Sequence, residues 1–223
     1  MFFLIYETCL WRNTIEVIIL AWYVIFVQSG REFTVKSYIS KYFDSSRVRC
    51  MIPRRKVPEK KSGETHNVIK TLYPGYVFVQ TTSITFSIYY QLCKAPYIYK
   101  FLNYLNPRDK QISEGSHMNQ SNPDSTECPK LRFDDPIDEA LYFQRVSDEE
   151  MSTVLNLLNH DDVIDYSKIY VDGTKVHVVS GPLTGKEGII KKIDKHKKRA
   201  KILLNMVNTT VLVDVGIELI NSL

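Results

Sequence analysis

The sequence predicts an α+β protein in which a ferredoxin-like sheet domain precedes a small β-barrel. Residues 21–102 of the 223-residue chain show strand and helix patterns in the order β, α, β, β, α, β, the order of a split βαβ sheet with its helices on one face. Residues 106–136 are rich in Asn, Ser, Pro and Asp and have almost nothing to bury, which predicts a disordered insertion. Short strand patterns separated by turns follow Gly173, and this spacing is typical of a small barrel.

The first domain is expected to run from Ala21 to residue 160. Apolar and β-branched runs predict its strands, and apolar residues at helical spacing predict its helices. We expect strands at 22–27, 48–52, 76–80 and 97–102, and helices at 32–42 and 84–93. The basic, polar residues 54–63 predict an exposed hairpin arm or loop between the second and third strands.

A further helix closes this domain. Ser147 with Glu150 three residues later forms a capping box. The apolar residues that follow share one helical face: Met151, Val154, Leu155 and Leu158. Residues 161–172 are acidic and weakly patterned, which predicts a linker, and the second domain then occupies residues 173–223.

The segment Tyr73-Pro74-Gly75-Tyr76 is the most distinctive turn in the chain. Pro74 restricts φ and Gly75 allows φ > 0, so the chain can reverse sharply and hold two tyrosines at the mouth of a sheet. An ordinary hairpin with aromatic residues in the core is the more common meaning of such a pattern.

Basic charge is concentrated towards the C-terminal end. The formal net charge is +4, and residues 168–223 contain ten Lys and Arg against five Asp and Glu, whereas residues 1–167 carry a net −1. A polyanion is the natural partner of the basic part.

Residues 1–20 are treated as an extension of unknown role. The apolar run at 15–27 is shorter than the roughly 20 residues of a membrane span and lacks a basic flank, so we expect no membrane association. A tether formed by residues 1–27 is the alternative, and cell fractionation distinguishes the two. The four cysteines are scattered without a Cys-x-x-Cys pair, which favours reduced thiols and a cytoplasmic location.

Catalytic patterns are absent from the sequence. It contains no nucleophile elbow, Walker loop, zincin helix or paired-carboxylate signature, and its five histidines are scattered. We therefore expect no enzymatic activity, no cofactor and no metal site.

Two stretches resemble known domains. Residues 176–204 resemble a KOW motif in an SH3-like barrel, on the strength of Gly181-Pro182, Gly185, Gly188 and Ile193-Asp194 before a basic turn. Trp22-Tyr23-Val24, Pro53 and residues 73–79 resemble, in the right order, the N-terminal (NGN) domain of the NusG family. Together the two resemblances cover most of residues 21–220.

This resemblance implies a transcription elongation factor whose NGN domain binds RNA polymerase. Residues 52–56 and 188–199 are most similar to the specialised LoaP-type members, which implies processive antitermination through pauses and terminators in long operons. The family's polymerase contact is an apolar depression that grips the clamp helices of the largest subunit. By motif match, the RNA polymerase-binding residues are Trp22, Tyr73, Pro74 and Tyr76.

Nucleic acid is the second expected partner, as RNA or as a DNA hairpin of a leader region. Lysine and arginine supply phosphate contacts, and two segments concentrate them. The nucleic-acid-binding residues predicted there are Arg54, Arg55, Lys56, Lys191, Lys192, Lys195, His196, Lys197, Lys198 and Arg199. A solvated surface without a ligand is the alternative for residues 54–61.

Two partners of housekeeping family members are doubtful here. The turn after Gly181-Pro182 often carries an aromatic residue that engages termination factor Rho or ribosomal protein S10, but Lys186 lies at that place in this sequence. The alternative function is a general RNA-binding or ribosome-associated KOW protein that does not depend on polymerase.

Overall fold

A computed structural model describes residues 20–102, 143, 145–206 and 209–220. The elements of its first part are β1 (Ala21–Val27), α1 (Glu32–Tyr42), β2 (Arg49–Met51), β3 (Arg54–Lys61), β4 (Glu64–Thr71), β5 (Tyr76–Thr81), α2 (Phe86–Cys93) and β6 (Ile98–Phe101). The second part contains α3 (Asp148–Leu155), β7 (Val163–Ile164), β8 (Ser167–Asp172), β9 (Lys175–Ser180), β10 (Ile190–Asp194), β11 (Arg199–Met206) and β12 (Thr209–Leu219).

Four strands form the first sheet, in the order β2-β5-β1-β6. All three pairings are antiparallel, and Phe26 of β1 lies opposite Tyr76 of β5. This is the strand order of a ferredoxin-like sheet, so the predicted α+β class is confirmed.

The two faces of this sheet bury different sets of side chains. Alternate residues of β1 point to opposite faces because the side-chain period of a strand is two. Tyr23, Ile25 and Val27 pack with residues of α1 and α2, such as Val35 and Leu92, in one buried cluster. The helices therefore lie on one face, as the sequence predicts.

The opposite face of the sheet is covered by α3. Trp22, Val24 and Phe78 share a second buried cluster with Met151 and Val154 of this helix. The predicted cap is present, since the Ser147 side chain accepts a hydrogen bond from the Glu150 N–H at 3.2 Å.

The apolar face of α3 differs from the prediction at one position. Leu155 is 39% exposed, whereas Leu157, just beyond the helix, is buried. The helix ends at Leu155, so the chain leaves the helical path and turns Leu157 inward.

Strands β3 and β4 pair along their whole length and form the expected hairpin arm. The register runs from Arg54 opposite Thr71 to Lys61 opposite Glu64. The short strand β7 adds to β3 in parallel, which joins the arm to the second half of the chain.

The second sheet has the order β10-β11-β12-β8-β9 and forms the small β-barrel. Residues 161–172 differ from the predicted linker because they contain β7 and β8, and β8 pairs with both β9 and β12. Ile164, Ser167 and Ile169 are buried, so this segment belongs to the packed structure. The two last predicted strands are one continuous strand, β12.

The barrel also shares a core with the first sheet. Trp22 and Phe78 belong to the same buried cluster as Ile202 and Val215 of the barrel. The two halves are therefore docked against each other in this conformation.

Two predicted regions lie outside the described residues: the disordered insertion at 106–136, and the extension at 1–20 except for its last residue. Within the part of the chain that the structure does describe, no helix is long and apolar enough to cross a membrane.

Candidate functional site

The Tyr-Pro-Gly-Tyr turn is held in place by two backbone hydrogen bonds to Gly75. Its N–H donates to the Glu32 carboxylate at 2.7 Å, and its carbonyl accepts from the Val27 N–H at 2.8 Å. Gly75 has φ +83°, a conformation that L side chains rarely adopt. A β-carbon there would also lie 3.1 Å from the Ser29 Oγ and 3.2 Å from the Val27 carbonyl oxygen. The turn therefore needs glycine at this position.

The structure separates the four residues predicted to bind polymerase. Trp22 and Tyr73 are buried, at 7% and 2% exposure, whereas Pro74 is exposed and Tyr76 is half-buried. Tyr73 packs against Phe78 with a ring-centroid distance of 5.8 Å. Of these four residues, only Pro74 and Tyr76 are accessible to a protein partner in this conformation.

Tyr73 has an unusual environment for a tyrosine. Within the described residues its buried hydroxyl has no hydrogen-bond partner. Burial raises the pKa of this hydroxyl strongly, and the nearby Glu150 carboxylate raises it further. Tyr73 therefore acts as a neutral core ring in this state.

Sequence reasoning missed two aromatic residues that lie beside Tyr76. The Phe26 ring is 5.4 Å from the Tyr76 ring and 5.5 Å from the Tyr99 ring, centroid to centroid. Tyr99 is 58% exposed. We call Phe26, Tyr76 and Tyr99 the aromatic strip. It crosses three neighbouring strands on the sheet face that also carries Trp22.

The alternation along β1 could have identified Phe26 as a residue of this surface, because Trp22, Val24 and Phe26 lie on the same face of the strand. No local signal could identify Tyr99, because a register irregularity in the β1–β6 pairing occurs next to Phe26. Only the pairing itself brings Tyr99 to the strip.

The three predicted cations of the arm are all engaged within the chain. Arg54 donates to the Asp161 carbonyl, and Arg55 donates to the Asp214 carbonyl. Lys56 forms an ion pair with Asp165 at 3.2 Å. Burial lowers the pKa of the Arg55 guanidinium. These cations connect the arm to the second half of the chain.

The cations of the β10–β11 hairpin behave differently from those of the arm. Only Arg199 joins the contact between the halves, by donating to the Pro58 carbonyl and approaching Glu59 at 3.5 Å. Lys191 donates to the Gly188 carbonyl at 3.3 Å and is exposed. No carboxylate of the described residues lies within ion-pair distance of the remaining exposed side chains, Lys192, Lys195, His196, Lys197 and Lys198.

A tight turn presents these exposed cations. The Asp194 carboxylate accepts the Lys197 N–H at 2.8 Å, and this bond lowers the pKa of Asp194. Lys198 has φ +49° at the end of the turn. The turn therefore places several positive charges on one exposed tip, suited to phosphate groups.

The arm and the barrel lie close together at Gly216. A β-carbon there would lie 2.7 Å from the Lys56 carbonyl oxygen and 2.5 Å from a ring carbon of Tyr166. The Tyr166 hydroxyl also donates to the Asn67 side chain at 2.7 Å. β12 can cross the arm only because this residue has no side chain.

Comparison with known proteins finds similarity to one family. The model of the family described as "NusG: Transcription termination factor nusG" matches residues 20–115. The chain is 24% identical over 208 residues to the transcription termination/antitermination protein NusG of Streptococcus pyogenes, covering 91% of this chain and 96% of that protein. Residues 20–115 therefore match the NusG family model, and the chain is similar to NusG proteins over most of its length.

A second NusG protein, from Bacillus subtilis, is 26% identical over 190 residues, which cover 83% of this chain and 88% of that protein. A solved structure entitled "Domain interaction in Thermotoga maritima NusG" has 20% identity and a TM-score of 0.46, covering 88% of this chain and 93% of that one. The family match includes β1, the arm and the Tyr-Pro-Gly-Tyr turn, so the aromatic strip lies in the NusG-matched part of the chain.

Among the described residues, no group of three or more His, Cys, Asp or Glu side chains could hold a metal ion. Cys50 is a buried thiol whose pKa is raised to about 12 by burial. Such a thiol is unreactive at neutral pH.

Proposed function

We propose that this protein is a specialised NusG-type elongation and antitermination factor. It binds RNA polymerase, at the clamp helices of the largest subunit, and suppresses pausing and termination in long operons. The observation that carries this proposal is the exposed aromatic strip on the sheet of the NusG-matched region. Rigid aromatic rings bury a large area at a small cost in conformational entropy, which makes them effective anchors at protein interfaces.

Of the residues predicted from the sequence, Tyr76 is the principal direct anchor in this conformation, with Pro74 beside it. Phe26 and Tyr99 extend the surface. Trp22 and Tyr73 are not part of this exposed surface, because they are buried under α3 and in the core shared with the barrel. Direct contact of polymerase with Trp22 or Tyr73 requires α3 and the barrel to move.

Nucleic acid is the second proposed ligand, bound by the exposed tip of the β10–β11 hairpin. An RNA or DNA hairpin of a leader region supplies the phosphates. The other predicted cations become part of this surface only when their contacts between the two halves of the chain break. They are Arg54, Arg55, Lys56 and Arg199. Lys186 is half-buried in the turn after Gly181, so Rho and ribosomal protein S10 remain unfavoured partners.

The polymerase surface is tested with in vitro transcription through an intrinsic terminator. We expect the wild-type protein to increase readthrough, and the double variant Tyr76→Ala/Tyr99→Ala to lose most of this increase. The matched control is Tyr42→Ala, since Tyr42 is 59% exposed but lies on α1, on the other side of the sheet. Readthrough by the double variant equal to that of the wild type would rule out the aromatic strip as the contact.

The second candidate function is a general RNA-binding or ribosome-associated role without polymerase. The exposed cations of the hairpin tip, which have no carboxylate of the described residues within ion-pair distance, favour it. Salt-sensitive RNA binding by the full chain, together with unchanged elongation in the same transcription assay, would support this role over the first.

A further inference from the structure

Glu32 is a buried carboxylate with an uncommon set of partners. It is 4% exposed, begins α1, and accepts the Gly75 N–H at 2.7 Å across 43 positions of sequence. No Lys or Arg of the described residues lies within ion-pair distance of it. A buried charge is costly unless hydrogen bonds or dipoles compensate it. Here the compensation comes from Gly75 and from the positive end of the α1 dipole.

The hydrogen bond fixes the backbone immediately before Tyr76. The Gly75 N–H is held by Glu32 and its carbonyl by Val27, so both polar groups of this peptide segment are tied to other elements. One hydrogen bond to α1 and one to β1 therefore hold Gly75 at its positive φ. Tyr76 starts β5 at the next residue and has little freedom to change direction.

We propose that Glu32 is a positioning residue for the aromatic strip. By holding Gly75, it sets the path on which the Tyr76 ring meets the Phe26 ring at 5.4 Å and remains half-exposed. The expected effect of Glu32 on polymerase affinity rests on the proposed function, whereas its effect on the position of Tyr76 does not. A strip ordered before binding loses less entropy when a partner covers it.

The experiment compares three substitutions of Glu32 in the full chain. Glu32→Ala removes the acceptor, Glu32→Asp withdraws the carboxylate by one methylene, and Glu32→Gln retains an acceptor of the same length. NMR reports the Gly75 amide proton shift and the nuclear Overhauser contact between the Tyr76 and Phe26 rings in the free protein. Fluorescence anisotropy reports affinity for purified RNA polymerase, and Glu64→Ala at the exposed arm tip is the control.

We expect the ring contact to weaken in Glu32→Ala and Glu32→Asp and to be retained in Glu32→Gln. Polymerase affinity should fall about threefold to tenfold in the first two variants, the cost of ordering one to two side chains on binding. Glu32→Gln should restore most of this affinity, and Glu64→Ala should match the wild type. If Glu32→Ala does not fold, the comparison of Asp with Gln decides the question.

An unchanged Tyr76–Phe26 ring contact in Glu32→Ala, or in Glu32→Asp if the first variant is unfolded, would overturn the positioning role. Equal loss of that contact in the Gln variant would also overturn it, since the acceptor would then be irrelevant. Failure of the proposed function gives a different result. In that case Tyr76→Ala binds polymerase as well as the wild type, while the ring contact still depends on Glu32.

Discussion

The arm and the β10–β11 hairpin are both basic in sequence, but the fold uses their charges in opposite ways. Arg54, Arg55 and Lys56 bind acceptors in the second half of the chain. Lys195, Lys197 and Lys198 are exposed, and no carboxylate of the described residues lies within ion-pair distance of them. A run of cations therefore predicts a phosphate-binding surface only where the fold leaves those cations without a partner.

Arg199 lies on the boundary between the two sets. It belongs to the hairpin in sequence, but its guanidinium reaches the Pro58 carbonyl of the arm.

The largest effect is expected for Gly216→Ala. Its β-carbon would overlap the Lys56 carbonyl and the Tyr166 ring, so the arm and β12 must separate. We expect the free energy of unfolding to fall by about 1–3 kcal/mol, the usual cost of overpacking. Urea denaturation measures it, and Gly188→Ala is the control because nothing lies within 4 Å of a β-carbon there. Equal stability of the two variants would mean that β12 does not press on the arm.

The next prediction compares Arg199 with Lys195. Arg199→Ala removes hydrogen bonds to the Pro58 carbonyl and should lower the free energy of unfolding by about 0.5–1.5 kcal/mol. Lys195→Ala removes an exposed side chain and should change stability by less than about 0.5 kcal/mol. Both variants lose one positive charge, so net charge is matched. If both variants lose the same free energy of unfolding, Arg199 does not stabilise the contact between the halves more than Lys195 does.

RNA binding provides the third test. Replacing Lys195, Lys197 and Lys198 by Gln should weaken binding to a leader RNA. The slope of log K against log salt should become less steep by up to about 2, because each phosphate contact with single-stranded RNA contributes roughly 0.7. The same replacement of Arg54, Arg55 and Lys56 should leave the slope nearly unchanged while the halves stay docked. Fluorescence anisotropy over a salt series measures both. A larger change of the slope in the arm variant would mean that the arm, and not the hairpin tip, binds the RNA.

The smallest effect concerns Glu59, which lies between Lys70 and Arg199. The hydrogen bond from Lys70 lowers the pKa of Glu59, and Arg199 adds to this. A carboxylate with a lowered folded-state pKa stabilises the protein above its unfolded-state pKa, and this contribution disappears as pH falls through the folded-state value. The stability difference between the wild type and Glu59→Gln should therefore narrow from pH 7 to pH 3 in denaturation curves. A constant difference would show that the charge of Glu59 has no role.

Much of the fold was predictable from the sequence. The strands at 22–27 and 76–80, the capping box at Ser147 and the basic arm all appear at or near their predicted positions. Each depends on neighbours within a few residues, through side-chain period, turn chemistry or capping. The segment 161–172 was mistaken for a linker because β7 and β8 are short and acquire their strand character by pairing with β3, β9 and β12.

The candidate site was less predictable. Trp22 and Tyr73 are buried by α3 and the shared core, and Tyr99 reaches the strip only through an irregular strand pairing. These outcomes depend on elements far apart in sequence. No local pattern contains that information.

The sequence alone determined the order and type of the elements in residues 21–102, the turn at Gly75 and the resemblance to the NusG family, because these follow from short-range preferences and motifs. The tertiary structure decided which aromatic rings stay exposed and which cations have no ion-pair partner among the described residues. Burial and pairing arise only when β1 meets β5 and when the arm meets β12, so identical residue types in similar runs end in different environments.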